Sequence, residues 1–265
     1  MATLVCFHAH PDDESLTTGG VMAKAADGGH RVVLVIATGG EHGESPDDLA
    51  PGESLVHRRG AETERSAAIL GVARIAWLGY QDSGMTGWEQ NTEPRSFLMA
   101  DVDEAARRLA DVLVEERADV LTVYDWHGNY GHPDHIKVHH VGHRAAELAG
   151  TPHVFEATMN RDHVRKMMQD APPEFVDAAD FDPDGPADDG NPVGMGEDEL
   201  TTAVDVSEFA ERKRASVACH ASQVTDTGMF LSMPPEAFAS AFGTEWFIHK
   251  GEPAGIHEHE LAGLG

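Results

Sequence analysis

Cysteine is nearly absent from this chain, with two in 265 residues, Cys6 and Cys219. Two thiols cannot build a disulfide framework, so a packed core must carry the stability. Cys6 lies in an apolar run and Cys219 in a segment predicted helical, and both are expected to be small core hydrophobes. Cations are scarce too: 19 Lys plus Arg face 46 Asp plus Glu, a formal net charge of −27. Such a field repels phosphate backbones and anionic lipid, which excludes nucleic acid and membrane surfaces as expected partners. Much of the acid lies between Asp177 and Glu199. Adaptation to high salt would give the same excess, and composition does not separate the two. No apolar run approaches the ~18 residues of a membrane-spanning helix. No basic-then-apolar leader precedes the first strand-like run, Thr3 to Phe7, so a cytoplasmic protein is expected. Oligomeric state stays open, a homo-oligomer included. The glycine pairs beginning at Gly19, Gly28 and Gly39 form neither a dinucleotide fingerprint nor a Walker loop, and no Gly-x-Ser-x-Gly elbow is present.

What is present is an alternation of short apolar runs and amphipathic segments. Val5 and the run Val32 to Ala37 are β-branched segments of the kind a sheet buried on both faces requires. Between them Ser15 to Asp27 is predicted as a helix ended by Gly28-Gly29. Helices follow at about Leu55 to Leu70, Asp101 to Glu116 and Pro133 to Ala149. Strands are predicted at Arg74 to Leu78, Val120 to Tyr124 and His153 to Thr158. This order predicts an α/β fold, a Rossmann-like three-layer sandwich around a mostly parallel sheet. Residues 1–150 would form its core, and 170–200 an acidic irregular loop or lid. A smaller C-terminal elaboration over 201–265 would include a strand at Thr201 to Val206, a helix through Cys219-His220 and a strand at Glu245 to His249. All of this is expected to be one domain, without internal repeats.

Ligands of open parallel sheets bind beyond the carboxyl ends of the strands. Two such ends here are dense in reactive side chains: His8-Ala-His10-Pro-Asp12-Asp13-Glu14 after the first strand, and His127-Gly-Asn-Tyr130-Gly-His132-Pro-Asp134-His135 after the strand ending at Tyr124. Each contains His-Pro-Asp. Alone, such a tripeptide is an ordinary helix start, with proline in the first turn and an acid favoured by the helix dipole. Two instances with extra histidines point instead to a divalent metal, zinc above all. A catalytic zinc typically has three imidazole or carboxylate ligands and one open position. His10, Asp13 and a histidine of the second loop supply that set. Asp12 would remain for proton transfer and His132 as the complementary acid for a leaving nitrogen.

These motifs resemble the signature of the LmbE-like, or PIG-L, family of zinc N-deacetylases, which includes GlcNAc-inositol deacetylases and mycothiol conjugate amidases. The similarity extends to Arg59-x-x-Glu62 before Ala67-Ala-Ile-Leu-Gly71, to Gly79-Tyr-Gln-Asp82-Ser-Gly-Met85, and to Ala218-Cys-His-Ala-Ser-Gln223. It therefore spans most of the chain. The resemblance implies one Zn2+ held by His10, Asp13 and His135, with Asp12 as general base. His132 is implied as general acid or as a stabiliser of the tetrahedral intermediate, held by Asp134. Tyr130 matches a tyrosine that donates to the developing oxyanion, and Arg59 a substrate-binding arginine. Asp82 and Glu41 stand where relatives face the substrate, although a turn and a solvated loop explain them equally well.

Among the seventeen histidines, His139 lies one helical turn beyond His135, where a second metal contact is geometrically open but solvent exposure, or a supporting contact behind the metal ligands, is favoured. His8 shares the alternation phase of His10 and is expected at the site floor. The expected function is N-deacetylation of an N-acetylated amino sugar or glycoside. The alternative is an amidase of thiol conjugates, for which Gly84-Met-Thr-Gly-Trp-x-x-Asn91 speaks. A non-catalytic metal- or sugar-binding protein is the rival of another class, and Asp12 argues against it, because a binding site needs no base beside its ligands. A nucleotide-dependent enzyme on the same layout lacks its phosphate loop.

Overall fold

The computed structural model describes residues 1–170, 181–223, 228 and 230–265. Its strands are β1 (Thr3–His8), β2 (Arg31–Thr38), β3 (Arg74–Tyr80), β4 (Val120–Tyr124), β5 (His153–Thr158), β6 (Thr202–Asp205) and β7 (Thr244–His249). They form one sheet in the order β3-β2-β1-β4-β5-β7-β6. The first five run parallel, and β7 and β6 add an antiparallel edge. The mostly parallel sandwich expected from the sequence is the observed fold, with the C-terminal strands completing the same sheet.

Alternation along β1 divides the core. Val5 and Phe7 face α4 (Val102–Glu116) and α6 (Pro133–Ala149) on one side. Leu4 and Cys6 face α2 (Gly19–Asp27) and the end of α3 (Leu55–Leu70) on the other. Cys6 is the expected core thiol, its pKa pushed up to about 12 by burial. Helix α6 lies close on the sheet because residue 142 is glycine: a Cβ there would come within 2.2 Å of Val123. That approach fixes the height of His135, two turns earlier.

Two boundaries differ from expectation. The helix predicted from Ser15 to Asp27 is broken into α1 (Asp13–Thr17) and α2 at Thr18, with φ −134° and ψ 10°. The break has a long-range cause, because the Glu245 carboxylate accepts hydrogen bonds from the amides of Gly20 and Val21 at 2.7 and 2.8 Å and starts the helix afresh. The helix expected through Cys219-His220, α8 (Ala210–Val217), stops short of both residues, which sit in the turn beyond it. Further helices among the described residues include α5 (Gly128–Gly131), α7 (Arg161–Asp170) and α9 (Pro235–Phe242). Of the expected acidic loop, 171–180 lie outside the described residues, and 181–196 are turns and bends packed on the α5 segment, with Asp188 donating to the Tyr130 carbonyl and Gly194 to that of Asn129. Among the described residues, no helix is long and apolar enough to cross a membrane.

Glu245 is also the buried partner of Lys213 on α8, at 2.7 Å with both side chains about 1–2% exposed. Lys213→Met would strand a carboxylate that already caps a helix, so a loss of about 3–5 kcal/mol is expected in denaturant unfolding; a change under 1 kcal/mol would refute this.

At the opposite, amino end of the strands, Glu116 joins Arg31 of β2 to Arg74 of β3. Hydrogen bonds from both guanidiniums hold its pKa at about 2, below the ordinary 4.5. Its folded pKa is depressed, so the stability it contributes is present above pH 4.5 and is lost as pH falls towards 2. Glu116→Gln should therefore cost about 1–3 kcal/mol at neutral pH, and the gap from the unsubstituted protein should close on acidification. A gap independent of pH would count against this ion pair as its source.

Candidate metal centre and active site

Both His-Pro-Asp loops emerge at one place, because β1 and β4 are neighbours at the point where strand order reverses. After β1 the chain turns sharply. Asp12 has φ 102°, a left-handed conformation rare for a residue with a side chain. Its amide donates to Glu14 Oε2 at 2.9 Å, and the His10 amide donates to Asp13 Oδ2 at 2.8 Å. Pro11 thus precedes the helix rather than starting it. After β4, His132 is the N-cap of α6 and Pro133 its first residue, as expected for that proline. Gly128, at φ +71°, lets the chain pass over His135, which a Cβ there would meet at 2.5 Å.

The rings of His10, His132 and His135 converge, with centroids 4.6 to 5.4 Å apart, and one nitrogen of each lies within 4.8 Å of the others. Asp13 sits between two of them, Oδ2 at 3.4 Å from His10 Nδ1 and Oδ1 at 3.3 Å from His135 Nε2. Burial would raise the Asp13 pKa, but the two imidazoles outweigh it and hold it well below the usual range. His10 Nε2 also lies 3.4 Å from Asp82 Oδ1 and 3.2 Å from Asp134 Oδ2. Burial alone would lower His10, yet these carboxylates raise it well above an ordinary histidine. Three imidazoles among carboxylates that lack a permanent cation suit a divalent metal. The three ring nitrogens and the Asp13 oxygens between them form a largely buried donor set of the kind a divalent transition metal takes.

Each remaining candidate residue has a definite place. Asp12 is partly buried and accepts from Arg59 Nη2 at 2.8 Å; burial raises its pKa to about 6 and Arg59 opposes the rise. Arg59, only 3% exposed, also donates to the carbonyls of Pro11 and Gly40, so both its terminal nitrogens are engaged by the chain itself, while its buried Nε has no hydrogen-bond partner among the described residues. Asp134 is fully buried and accepts from the amide and hydroxyl of Ser83. His132 Nδ1 accepts from the Asp134 amide at 3.1 Å, which leaves the proton of the neutral ring on Nε2. Burial and the neighbouring imidazoles push the His132 pKa down to about 2. The Tyr130 hydroxyl is 3.4 Å from His135 Nε2. Glu41 accepts from the amide of Asp82, whose carboxylate accepts from the amides of His42 and Gly84. His8 lies one layer lower, between the Tyr124 hydroxyl and Thr18, and Tyr124 stacks on His135 at 4.3 Å.

Sequence reasoning gave no role to Glu14, His220 or Ser83. Glu14 is fully buried and accepts from His220 Nε2 at 2.8 Å and from Ser66 at 2.6 Å, while its other oxygen holds the Asp12 amide. Burial pushes Glu14 up, but His220 and Ser66 outweigh it and hold it at about 2. His220 arrives from the Ala218 to Gln223 segment, where the family resemblance was the one available signal.

A family model, PIG-L: GlcNAc-PI de-N-acetylase, matches residues 5–146. The chain belongs to the PIG-L family. It is 37% identical to the 1D-myo-inositol 2-acetamido-2-deoxy-alpha-D-glucopyranoside deacetylase of Thermomonospora curvata, covering 94% of this chain and 90% of that one. The enzyme of that name from Thermobifida fusca is also 37% identical, over 94% of each chain. Among solved structures, N,N'-diacetylchitobiose deacetylase from Pyrococcus horikoshii superposes with a TM-score of 0.58 at 23% identity, covering 93% of this chain and 83% of that one. The zinc-inhibited form of teicoplanin deacetylase Orf2 gives 0.60 at 17%, covering 95% and 100%. These two likenesses establish the fold. This PIG-L member is a hydrolase of carbon–nitrogen bonds other than peptide bonds, a metal-dependent N-deacetylase.

If the buried Glu14–His220 pair is what supports the turn at Asp12, His220→Gln should cost about 3 kcal/mol by leaving a carboxylate without its charge partner. Adding Glu14→Gln should recover part of that loss in a double-mutant cycle; strictly additive effects would show that the pair is not coupled.

Proposed function

We propose that this protein is a zinc-dependent deacetylase of an N-acetylglucosamine glycoside, with an inositol glycoside as first candidate. The observation that carries the reading is the convergence of His10, Asp13, His132 and His135 beside a partly buried Asp12. Relatives at 37% identity along nearly the whole chain carry that substrate in their names. His10, Asp13 and His135 would hold the zinc, and its bound form supplies Lewis acidity at the amide carbonyl. Asp12, steadied by Arg59 and by the Glu14 contact to its amide, accepts the proton of the attacking water. His132, neutral with its proton on Nε2, donates a hydrogen bond to the tetrahedral species, the proton taken up by Asp12 is handed on to the departing nitrogen, and Asp134, bonded to Ser83, fixes the turn that orients the His132 ring. Water's hydroxyl goes to the acyl carbon and its proton to the amine, so acetate and a free amine leave.

Tyr130 is assigned to the developing oxyanion. Asp82 and Glu41, linked through the Asp82 amide, are assigned to the sugar side of the cleft. Arg59 acts in this reading through Asp12 rather than by touching substrate. The reaction is assigned to the cytoplasm.

Acetate release from N-acetylglucosaminyl inositol, compared with cleavage of a thiol conjugate, is the deciding assay. Release of a mercapturate-like acid instead of acetate would transfer the chain to the amidases. Asp12→Asn should retain zinc while kcat falls about 10²–10⁴-fold. Asp13→Ala should lose zinc and His132→Ala should keep it; the reverse pattern would replace the ligand set by the three histidines.

A further inference from the structure

Further along α6, one and two turns beyond His135, lies a second set of metal-ligating groups, in which no catalytic residue takes part. His139 and His143 stand one turn apart on the helix, with ring centroids 4.4 Å apart. Between them and the sheet lies Glu156 of β5, whose Oε1 is 2.8 Å from His143 Nε2 and 3.9 Å from His139 Nδ1. One ligand atom from each of the three lies within 4.8 Å of the other two.

Glu156 shares its face of β5 with Val154, under the apolar layer that α6 covers. Its side chain is about 15% exposed, and its ion-pair partners among the described residues are these two imidazoles. No lysine or arginine pairs with it there. A mostly buried carboxylate that faces two imidazoles and no lysine or arginine among the described residues is a place for a cation. His139 Nδ1 donates to the Tyr124 carbonyl at 3.0 Å, which fixes its tautomer, so the lone pair this ring offers a metal is on Nε2 and not on the Nδ1 that lies 3.9 Å from Glu156. Ligating histidines usually carry that backbone hydrogen bond on the other nitrogen. All three side chains reach solvent, so an ion has a path in and water can complete its shell.

We propose that His139, His143 and Glu156 form a second, two-histidine-one-carboxylate site for a divalent metal that favours imidazole, zinc being the probe. It is separate from the catalytic centre but mechanically joined to it, since the Tyr124 carbonyl holds His139 while the Tyr124 ring stacks on His135. The proposal does not rest on the deacetylase reading.

Zinc stoichiometry of the full chain, measured by elemental analysis after metal stripping, reloading and desalting, tests it directly. His143→Gln and Glu156→Gln should each bind one equivalent per chain fewer than the unsubstituted protein. In an Asp13→Ala background the same substitutions should remove one further equivalent. Stoichiometry unchanged by both substitutions would overturn the proposal. Because a variant could misfold, a second readout uses the unsubstituted protein: saturating zinc should protect His143 from diethyl pyrocarbonate by at least fivefold while exposed His57 stays reactive. Equal modification of His143 with and without zinc would overturn it as well.

Discussion

Everything at the active site depends on the parallel pairing of β1 with β4. The chain winds from β1 outward to β2 and β3, then returns to the other side of β1 and winds outward again through β5. Where the winding reverses, the loops leaving the two central strands diverge to opposite faces and a crevice opens between them. Both His-Pro-Asp segments begin there, 124 residues apart in the case of His10 and Asp134, whose side chains nonetheless meet at 3.2 Å. Without that adjacency each would be an acidic helix start with a spare histidine.

The electrostatic problem this creates is solved from outside the crevice. Asp12, Asp13, Asp82, Asp134 and Glu14 crowd one region, and most of them are buried. Two cationic groups reach in from neighbouring elements: Arg59 from α3 to Asp12, and His220 from the turn after α8 to Glu14. They hold the side of the site where proton transfer is assigned, while on the other side Asp13 pairs, among the described residues, with imidazoles and with no lysine or arginine. The strained backbone of Asp12 persists because it is pinned at its amide, its carboxylate and the preceding carbonyl.

The rest of the fold supplies rigidity. Glu245, from the next-to-edge strand, caps α2 and binds Lys213, so the C-terminal segment sets where the first helix breaks and therefore where Glu14 points. At the amino ends of the strands Glu116 clamps β2 and β3 to α4, far from the chemistry.

Local signals in the sequence determined a good deal. The spans of β1, β4, β5, α3 and α6 follow from apolar runs, capping residues and glycine stops, which act within a few residues. The same locality makes His10, Asp12, Asp13, His132 and His135 stand out, since each motif is contiguous. Tertiary structure alone decided strand order, the break at Thr18, the end of α8 before Cys219, the engagement of Arg59 with Asp12, and the Glu14–His220 pair, whose partners are 206 positions apart. A hydrogen bond or ion pair at such separation leaves no periodicity to read. It exists only once burial has removed water and made the partner necessary.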